Sequence, residues 1–470
     1  EIPTQIVKTI IYKAKLIQEL NQDGTIDAIA YFESEYVDVA QPLKSILASQ
    51  LAQIYKGYLD QQSWQIRQRT AIADEGENED ITASEKDIQQ WSIEQFNNQI
   101  AELHLEAVSY AGLQKVDLSE YQYILNDAEG RTLRPTLYDL LLHRAIDYFS
   151  DTRSLIAEPI HLFHIDQIAY WAQAKAFSKM EISEAQENAY TYRAIKLFQD
   201  AVRYHLKSRN APALVDLEVK RFKFLKQHST LANNDDRYIK SLIALSDQYE
   251  RKGGSEIALA EIARTYQREG QLIKSISLAR KILKSHEGTH SAKIARNIID
   301  QIERKDLTVE GEKVYLPEQY MLFKLNYQNT KKVFYKLIQL DEEQYELQRQ
   351  GNNDELLVQL NAMEVFLQNE LVLPDYKDYK NHSAEFGVPG VPLGRYVMMV
   401  SDDPSFEKNP DSGLGVVNFQ VSQLGMWNRN TTEGKTSIVV VDRTSGVPLE
   451  GVEAVFSARD GRSNDWNEVG

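Results

Sequence analysis

Leu242-Ile243-Ala244-Leu245-Ser246-Asp247-Gln248-Tyr249-Glu250-Arg251-Lys252-Gly253 returns 17 positions later as Leu259-Ala260-Glu261-Ile262-Ala263-Arg264-Thr265-Tyr266-Gln267-Arg268-Glu269-Gly270. Leu242, Leu245, Tyr249, Arg251 and Gly253 become Leu259, Ile262, Tyr266, Arg268 and Gly270. Apolar side chains three and four residues apart share one helix face, and a glycine after them ends the helix. One helix plus its turn therefore repeats, and two such units make a period of about 34 residues, that of stacked helical hairpins. Ile273, Ile276, Ala279 and Ile282 supply the expected packing stripe of the next helix.

Working outward, the same helical period holds to about residue 305. Ile93, Phe96, Ile100, Leu103, Ala107 and Tyr110 form one stripe; Leu137, Leu141, Ala145 and Tyr148 form another, just after Pro135. Residues 1–305 read as all-α, TPR-like hairpins, divisible near 185. The match to the repeat is partial, with Leu259 where a Trp is usual and no Pro closing the second helix. Between early helices, Asp74-Glu75-Gly76-Glu77-Asn78-Glu79-Asp80 is read as a solvated acidic loop, since it lacks the residue order of a calcium-binding EF-hand.

After Asp306 the period changes to two. Met321, Phe323, Leu325 and Tyr327 alternate with Leu322, Lys324, Asn326 and Gln328, and Asn329-Thr330 reads as a hairpin turn into Val333–Ile338. Tyr396–Val400, then Val417, Phe419 and Val421, add further strands. Residues 306–427 are expected to form an antiparallel β-sandwich of the Ig-like or fibronectin-like kind, interrupted by an acidic excursion at 341–371 containing a helix. Residues 428–470 read as the incomplete start of a second such domain. The overall fold class is α+β, in several domains. The chain opens at Glu1 without Met and stops at Gly470 soon after a hairpin, so it is expected to be a piece of a longer protein.

The 470 residues carry 53 basic and 69 acidic side chains, a net charge of −16, with pI near 5.2. Such a surface repels phosphate backbones and anionic lipids, so no nucleic-acid partner is expected. No apolar run approaches the roughly 18 residues that would cross a bilayer. With no cysteine, disulfides, thiol nucleophiles and Cys-ligated zinc are excluded, and so is any Cys thioester within these residues.

The sharpest chemical match is His286-Glu287-Gly288-Thr289-His290, which fits the H-E-x-x-H pattern of zinc peptidases. That chemistry needs a continuous helix, so that both imidazoles face one metal beside the Glu base. Here one apolar stripe ends at Ile282 and Leu283, and another begins at Ala292, with Gly288 as a breaker. The competing reading is a polar turn between two helices. Glu310, about twenty residues past His290, is a candidate for a third ligand. His161 and His164, spaced i, i+3, form a second metal candidate against the commoner reading of core-side histidines, and His143 is read the same way. Gly387–Gly390 and Gly413–Gly415 lack the following helix that phosphate loops need, and no nucleophile elbow is present. No catalytic or cofactor-binding residue is assigned. The 25 tyrosines are spread at core spacing and read as packing; Asn381-His382-Ser383 and Asn430-Thr431-Thr432 are glycosylation sequons.

Val391-Pro392-Leu393-Gly394-Arg395-Tyr396-Val397-Met398-Met399-Val400-Ser401-Asp402-Asp403-Pro404 resembles a strand of bacterial alpha-2-macroglobulins, and Asp378–Ser383 before it fits the same family. Val439–Val452 resembles the hairpin opening a macroglobulin domain, and Tyr327-Gln328-Asn329 with Val333–Leu337 an earlier strand. Leu133–Asp139 is similar to a helix start in the helical extension of one Gram-negative subfamily. The more specific motifs lie between Gln319 and Phe456. The resemblance implies a large chain of successive macroglobulin sandwiches in the bacterial envelope, periplasmic and anchored through a part outside these residues. Relatives are cleaved in an exposed bait segment and then enclose the attacking protease; some add a Cys–Gln thioester. Only structural positions carry over: Gly394, Tyr396, Gly446, Pro448 and Gly451.

Three functional readings result. In the first the chain is the non-enzymatic N-terminal structural and docking region of an alpha-2-macroglobulin-like endopeptidase inhibitor, with target proteases as partners of the full-length protein and an envelope protein as partner of the helices. In the second it is an envelope scaffold or adaptor that binds a partner through TPR-like helices. In the third it is a zinc metallopeptidase acting through His286, Glu287 and His290.

Overall fold

The computed structural model describes residues 2–20, 24–37, 39–66, 88–121, 132–151, 163–182, 189–341, 344–345, 354–407, 412–430, 436–455, 457–459 and 466–468. The acidic loop 74–80, His161, the split near 185 and Phe456 lie outside them. The fold is α+β, and the chain divides into two compact units, 1–298 and 299–470. No helix among the described residues is long and apolar enough to cross a membrane.

The first unit is helical. Its helices are α1 (Ile2–Leu20), α2 (Gly24–Val37), α3 (Leu43–Gln61), α4 (Ser63–Ile66), α5 (Ile93–Ser109), α6 (Leu137–Ser150), α7 (Ala174–Phe177), α8 (Tyr190–Ser208), α9 (Ala211–His228), α10 (Asn234–Tyr249), α11 (Ser255–Arg268), α12 (Leu272–Ser285) and α13 (His290–Glu303), the last running past the division. From α8 to α12 each helix packs on the next in sequence. Short polar caps set several starts. Ser92 and Gln95 close a reciprocal capping box on α5, and Thr136 and Asp139 close one on α6, each satisfying backbone N–H groups that have no helical partner.

The apolar stripes then bury. Ile93, Phe96, Ile100, Leu103 and Ala107 are all buried along α5, whereas Tyr110, the last of that stripe, is its exposed C-cap. Leu242 and Leu259, Leu245 and Ile262 occupy equivalent buried places on α10 and α11. Gly270 (φ +71°) directly follows the C-cap of α11 and Gly253 (φ +88°) lies in the turn after α10, both in the left-handed region, which explains the recurring glycine. On α12 Ile276, Ala279 and Ile282 are buried, but Ile273 is 58% exposed.

The second unit holds β1 (Asp306–Gly311), β2 (Val314–Tyr315), β3 (Met321–Gln328), β4 (Lys332–Leu340), α14 (Asp354–Ala362), β5 (Leu367–Val372), β6 (His382–Val388), β7 (Gly394–Ser401), β8 (Leu414–Val421), β9 (Leu424–Asn430), β10 (Thr436–Asp442), β11 (Ser457–Arg459) and β12 (Trp466–Glu468). A three-stranded sheet, β1-β3-β6, and a five-stranded one, β2-β8-β7-β4-β5, share one core. Phe323 of the first sheet meets Phe419 of the second at 5.4 Å between ring centroids, and Tyr315 at 5.3 Å. β3 shows the alternating burial its sequence predicts.

Four expectations are corrected. The larger sheet is mixed, because β2 pairs parallel to β8. Asn329-Thr330 is not a hairpin turn: β3 pairs with β1 and β6, β4 with β5 and β7, so the chain crosses between sheets there. Asn329 (φ +56°) instead donates its side-chain amide to the carbonyls of Ile302 at 2.7 Å and Arg304 at 2.9 Å, closing the end of α13. The excursion 341–371 is not all insertion, since its last residues lie in edge strand β5, in register with β4. A boundary at 427/428 cuts β9, which pairs along its length with β10.

The excursion also builds a second core. Leu360 of α14, with Tyr345 and Phe406, covers Ile338, Leu340, Val397 and Met399 on the outer face of the five-stranded sheet. That explains why Tyr396–Ser401 of β7 is buried at every position, and why its sequence lacks polar alternation.

Candidate functional site

An open apolar groove of about 430 Å³ is formed in the helical unit by α10, α11 and α12. The repeat dictates it: three consecutive helices with short turns stack side by side, and the middle one contacts both neighbours. Ser275 fixes the spacing between α11 and α12, its buried hydroxyl donating to the Ala263 carbonyl at 2.8 Å, and the small Ala263 and Ala279 are wholly buried. Leu259, Ile262 and Tyr266 of α11 line the groove between Ile243, Ser246 and Asp247 of α10 and Ile273, Lys274, Ser277 and Leu278 of α12. Ile243 is 41% exposed and Ile273 58%. Lys274 donates to the Gln271 side chain at 2.8 Å, and its ammonium lies 5.4 Å from the Tyr266 ring centre. The surface suits side chains of another molecule, and its volume is that of an ordinary binding pocket.

The H-E-x-x-H residues do not form the zinc-peptidase arrangement. α12 ends at Ser285, His286 is its C-cap, Gly288 takes φ +81°, and α13 starts at His290. Thr289 serves as the cap of that start, accepting from the Ala292 N–H at 3.1 Å and donating to the His286 carbonyl at 2.8 Å. The two imidazoles therefore sit on the ends of different helices. His286 Nδ1 is 3.6 Å from Glu256 Oε2, and Glu310, on β1, accepts from Asn326 at 3.0 Å. Among the described residues no group of three or more His, Asp and Glu side chains is placed to hold a metal ion.

His164 is exposed beside a short bridge between Ile165 and Ser229. His143 is buried, with Lys220 Nζ 3.2 Å from its Nδ1 and donating to its carbonyl at 3.0 Å; Lys220 also pairs with Asp147 at 2.7 Å. Close by in sequence, Asp139 has a second role that periodicity does not reveal. One carboxylate oxygen caps α6, and the other lies 3.1 Å from His205 Nε2, both residues being buried. His143, Asp139 and His205 sit inside the helical core, so the structural reading of His143 fits its surroundings.

The buried imidazoles make a prediction. Burial, with the Arg144 guanidinium, pushes His104 from the ordinary 6.5 down to about 4, and burial, with Lys220, pushes His143 well below 6.5. Below pH 6.5 the unfolded chain binds protons that the folded chain refuses, so stability is lost as pH falls toward 4. At about 1.4 kcal/mol per pH unit, His104 alone accounts for roughly 3 kcal/mol between those limits. Urea titrations at pH 7 and 4.5, followed by far-ultraviolet circular dichroism, are expected to show this loss, and His104→Phe to reduce the acid slope.

No family model matches the sequence, and no curated protein does. Among solved structures the chain is similar to native alpha-2-macroglobulin from Escherichia coli spanning domains MG0-NIE-MG1, at 13% sequence identity and a TM-score of 0.23. The match covers 31% of this chain and 48% of that one, so it spans about half the length of that structure.

Proposed function

We propose that these residues are a non-enzymatic N-terminal region of a bacterial alpha-2-macroglobulin-like endopeptidase inhibitor of the cell envelope. In this reading the second unit is a macroglobulin-like, Ig-like sandwich, and the first is a set of TPR-like hairpins whose groove docks a partner. One observation carries it. The segment Val391–Pro404, which resembles a strand of that family, runs through β7, the central strand buried on both faces. Gly446 and Gly451, also on family motif positions, both adopt φ +72°, as turn positions there require. Inhibition would come from steric enclosure by many such sandwiches, which demands no catalytic group from this chain.

The test is a trapping assay on the full-length protein with proteases of several specificities. Expected is loss of activity on a large protein substrate with retained activity on a small chromogenic peptide. Persistence of both activities, with the chain merely degraded, favours the second reading, an envelope adaptor. The open groove of α10–α12 supports that reading as much as the first.

A further inference from the structure

We infer that the free edge of β5 takes up an extended segment of another polypeptide, about five to seven residues long, with Leu, Ile, Val or Phe at alternate positions. In an antiparallel ladder, residue pairs that exchange hydrogen bonds alternate with pairs that do not. Leu373 donates its N–H to the Lys331 carbonyl at 2.8 Å, and Phe366 donates to the Leu337 carbonyl at 2.8 Å. With the register of β4 and β5, the ladder bonds then fall on Leu371, Asn369 and Leu367. The N–H and C=O groups of Gln368, Glu370 and Val372 therefore point away from β4. The Glu370 N–H shows that direction, since it donates to the side chain of its neighbour, Asn369 Oδ1, at 2.8 Å. No other partner among the described residues reaches the main chain of these three. Donors and acceptors that repeat at every second residue, about 7 Å apart, are met together only by another extended chain.

The side chains fit the same guest. β5 is the last strand of its sheet, and Leu367 and Leu371 on its inner face pack at the margin of the sandwich core, only partly buried. Apolar side chains at alternate positions of an added strand lie beside them and complete their cover. On the outer face Val372 is 82% exposed, and Glu370 is neutralised by Lys332 of β4 at 2.5 Å. Natural edges that stay unpaired are commonly very short or carry Lys or Pro. Residues 367–372, Leu-Gln-Asn-Glu-Leu-Val, contain no Lys, Pro or Gly. The other edges of the sandwich differ. β2 is two residues long. The outward groups of β1 are covered by β8: a Cβ built on Gly415 stands 3.1 Å from the Val309 nitrogen and 3.4 Å from the Leu307 oxygen. β6 is interrupted by Gly387 and followed by Pro389, which makes it a poorer template.

The test is a display library of random peptides, about a dozen residues long, selected on the 470-residue chain. Selected peptides, made synthetically with a fluorophore, are then titrated by anisotropy. Enrichment of sequences that alternate apolar with polar residues is expected. Single N-methylations scanned along the best peptide should abolish binding at every second position and change it less than about twofold at those between, because one edge of the guest faces β5. Glu370→Pro removes an outward N–H without touching the β4 ladder, so it should weaken binding about tenfold or more. Glu370→Ala, which loses only the side chain, should bind within about twofold of the parent. An unchanged thermal midpoint by circular dichroism confirms that both variants are folded; if Glu370→Pro is not, the methylation scan on the parent chain decides alone. No alternating enrichment, a scan without a period of two, or folded Glu370→Pro binding as well as Glu370→Ala would each overturn the inference. So would a parent chain that selects no peptide but dimerises in sedimentation equilibrium and loses the dimer on Glu370→Pro, which assigns the edge to a second copy.

Discussion

Arg221→Leu is expected to destabilise the helical unit by about 3–5 kcal/mol, because it strands a buried carboxylate. Arg221 and Glu218 are both buried on α9, one turn apart. The guanidinium donates to the two Glu218 carboxylate oxygens at 2.7 and 2.6 Å. Its remaining N–H groups reach the Tyr170 carbonyl and, at 2.8 Å, that of Ala172. The same cation lies 4.2 Å from the centre of the Phe177 ring. One side chain thus ties α9 to the segment 168–177, which consists of a short 3-10 turn and the one-turn helix α7. Removing the cation leaves Glu218 charged and desolvated and two buried carbonyls without a donor. The double variant Glu218→Leu, Arg221→Leu should recover part of the loss, since two apolar side chains leave no buried charge. Hydrogen exchange read by mass spectrometry checks both: protection should fall across 168–177 and 211–228 in the single variant and partly return in the double. A single variant as protected as the parent would sink the assignment.

Phe419→Ala should cost the β unit a similar amount, about 3–5 kcal/mol, through a different cause. Phe419 is fully buried on β8 between the two sheets. Its ring centre lies 5.3 Å from Tyr315, 5.4 Å from Phe323 and 5.7 Å from Tyr396. Truncation empties a space walled by strands of both sheets, which cannot close without moving one sheet toward the other. Phe419→Leu, which keeps most of the volume, should lose clearly less. Denaturant midpoints for the pair, with exchange over β3, β7 and β8, provide the measurement. Equal destabilisation by Leu and Ala would mean that ring geometry rather than filled volume holds the sheets together.

The two units were legible in the sequence to different degrees. Helical periodicity up to about 305 and period-two alternation in β3 are local signals, set by which face of an element is buried, and they appear in the residues themselves. The zinc pattern was likewise decided locally, because Gly288 between two apolar stripes breaks the helix that the chemistry needs. Strand pairing was different. Nothing within β3 or β4 states that they join different sheets, and the Asn329-Thr330 turn residues suit a sheet crossing as well as a hairpin. The excursion's role was equally hidden: Leu360 supplies a second core only because tertiary packing lays α14 over β7.

The groove marks the division most sharply. Ile273, Ile276, Ala279 and Ile282 form a run with constant spacing of three, and the sequence by itself determined that α12 is a packed helix. Steps of three residues drift by about 60° per step around a helix, so the first and last of the four lie on opposite sides. Which end of the run is covered depends on where neighbouring helices stand. Only the tertiary structure decided that α11 takes Ile276, Ala279 and Ile282 into the core and leaves Ile273 facing Ile243 across an open slot. Composition determined the chain's acidity in the same way, as a sum over residues. That Lys274 and Asp247 both line that slot is a matter of position, which the sum does not hold.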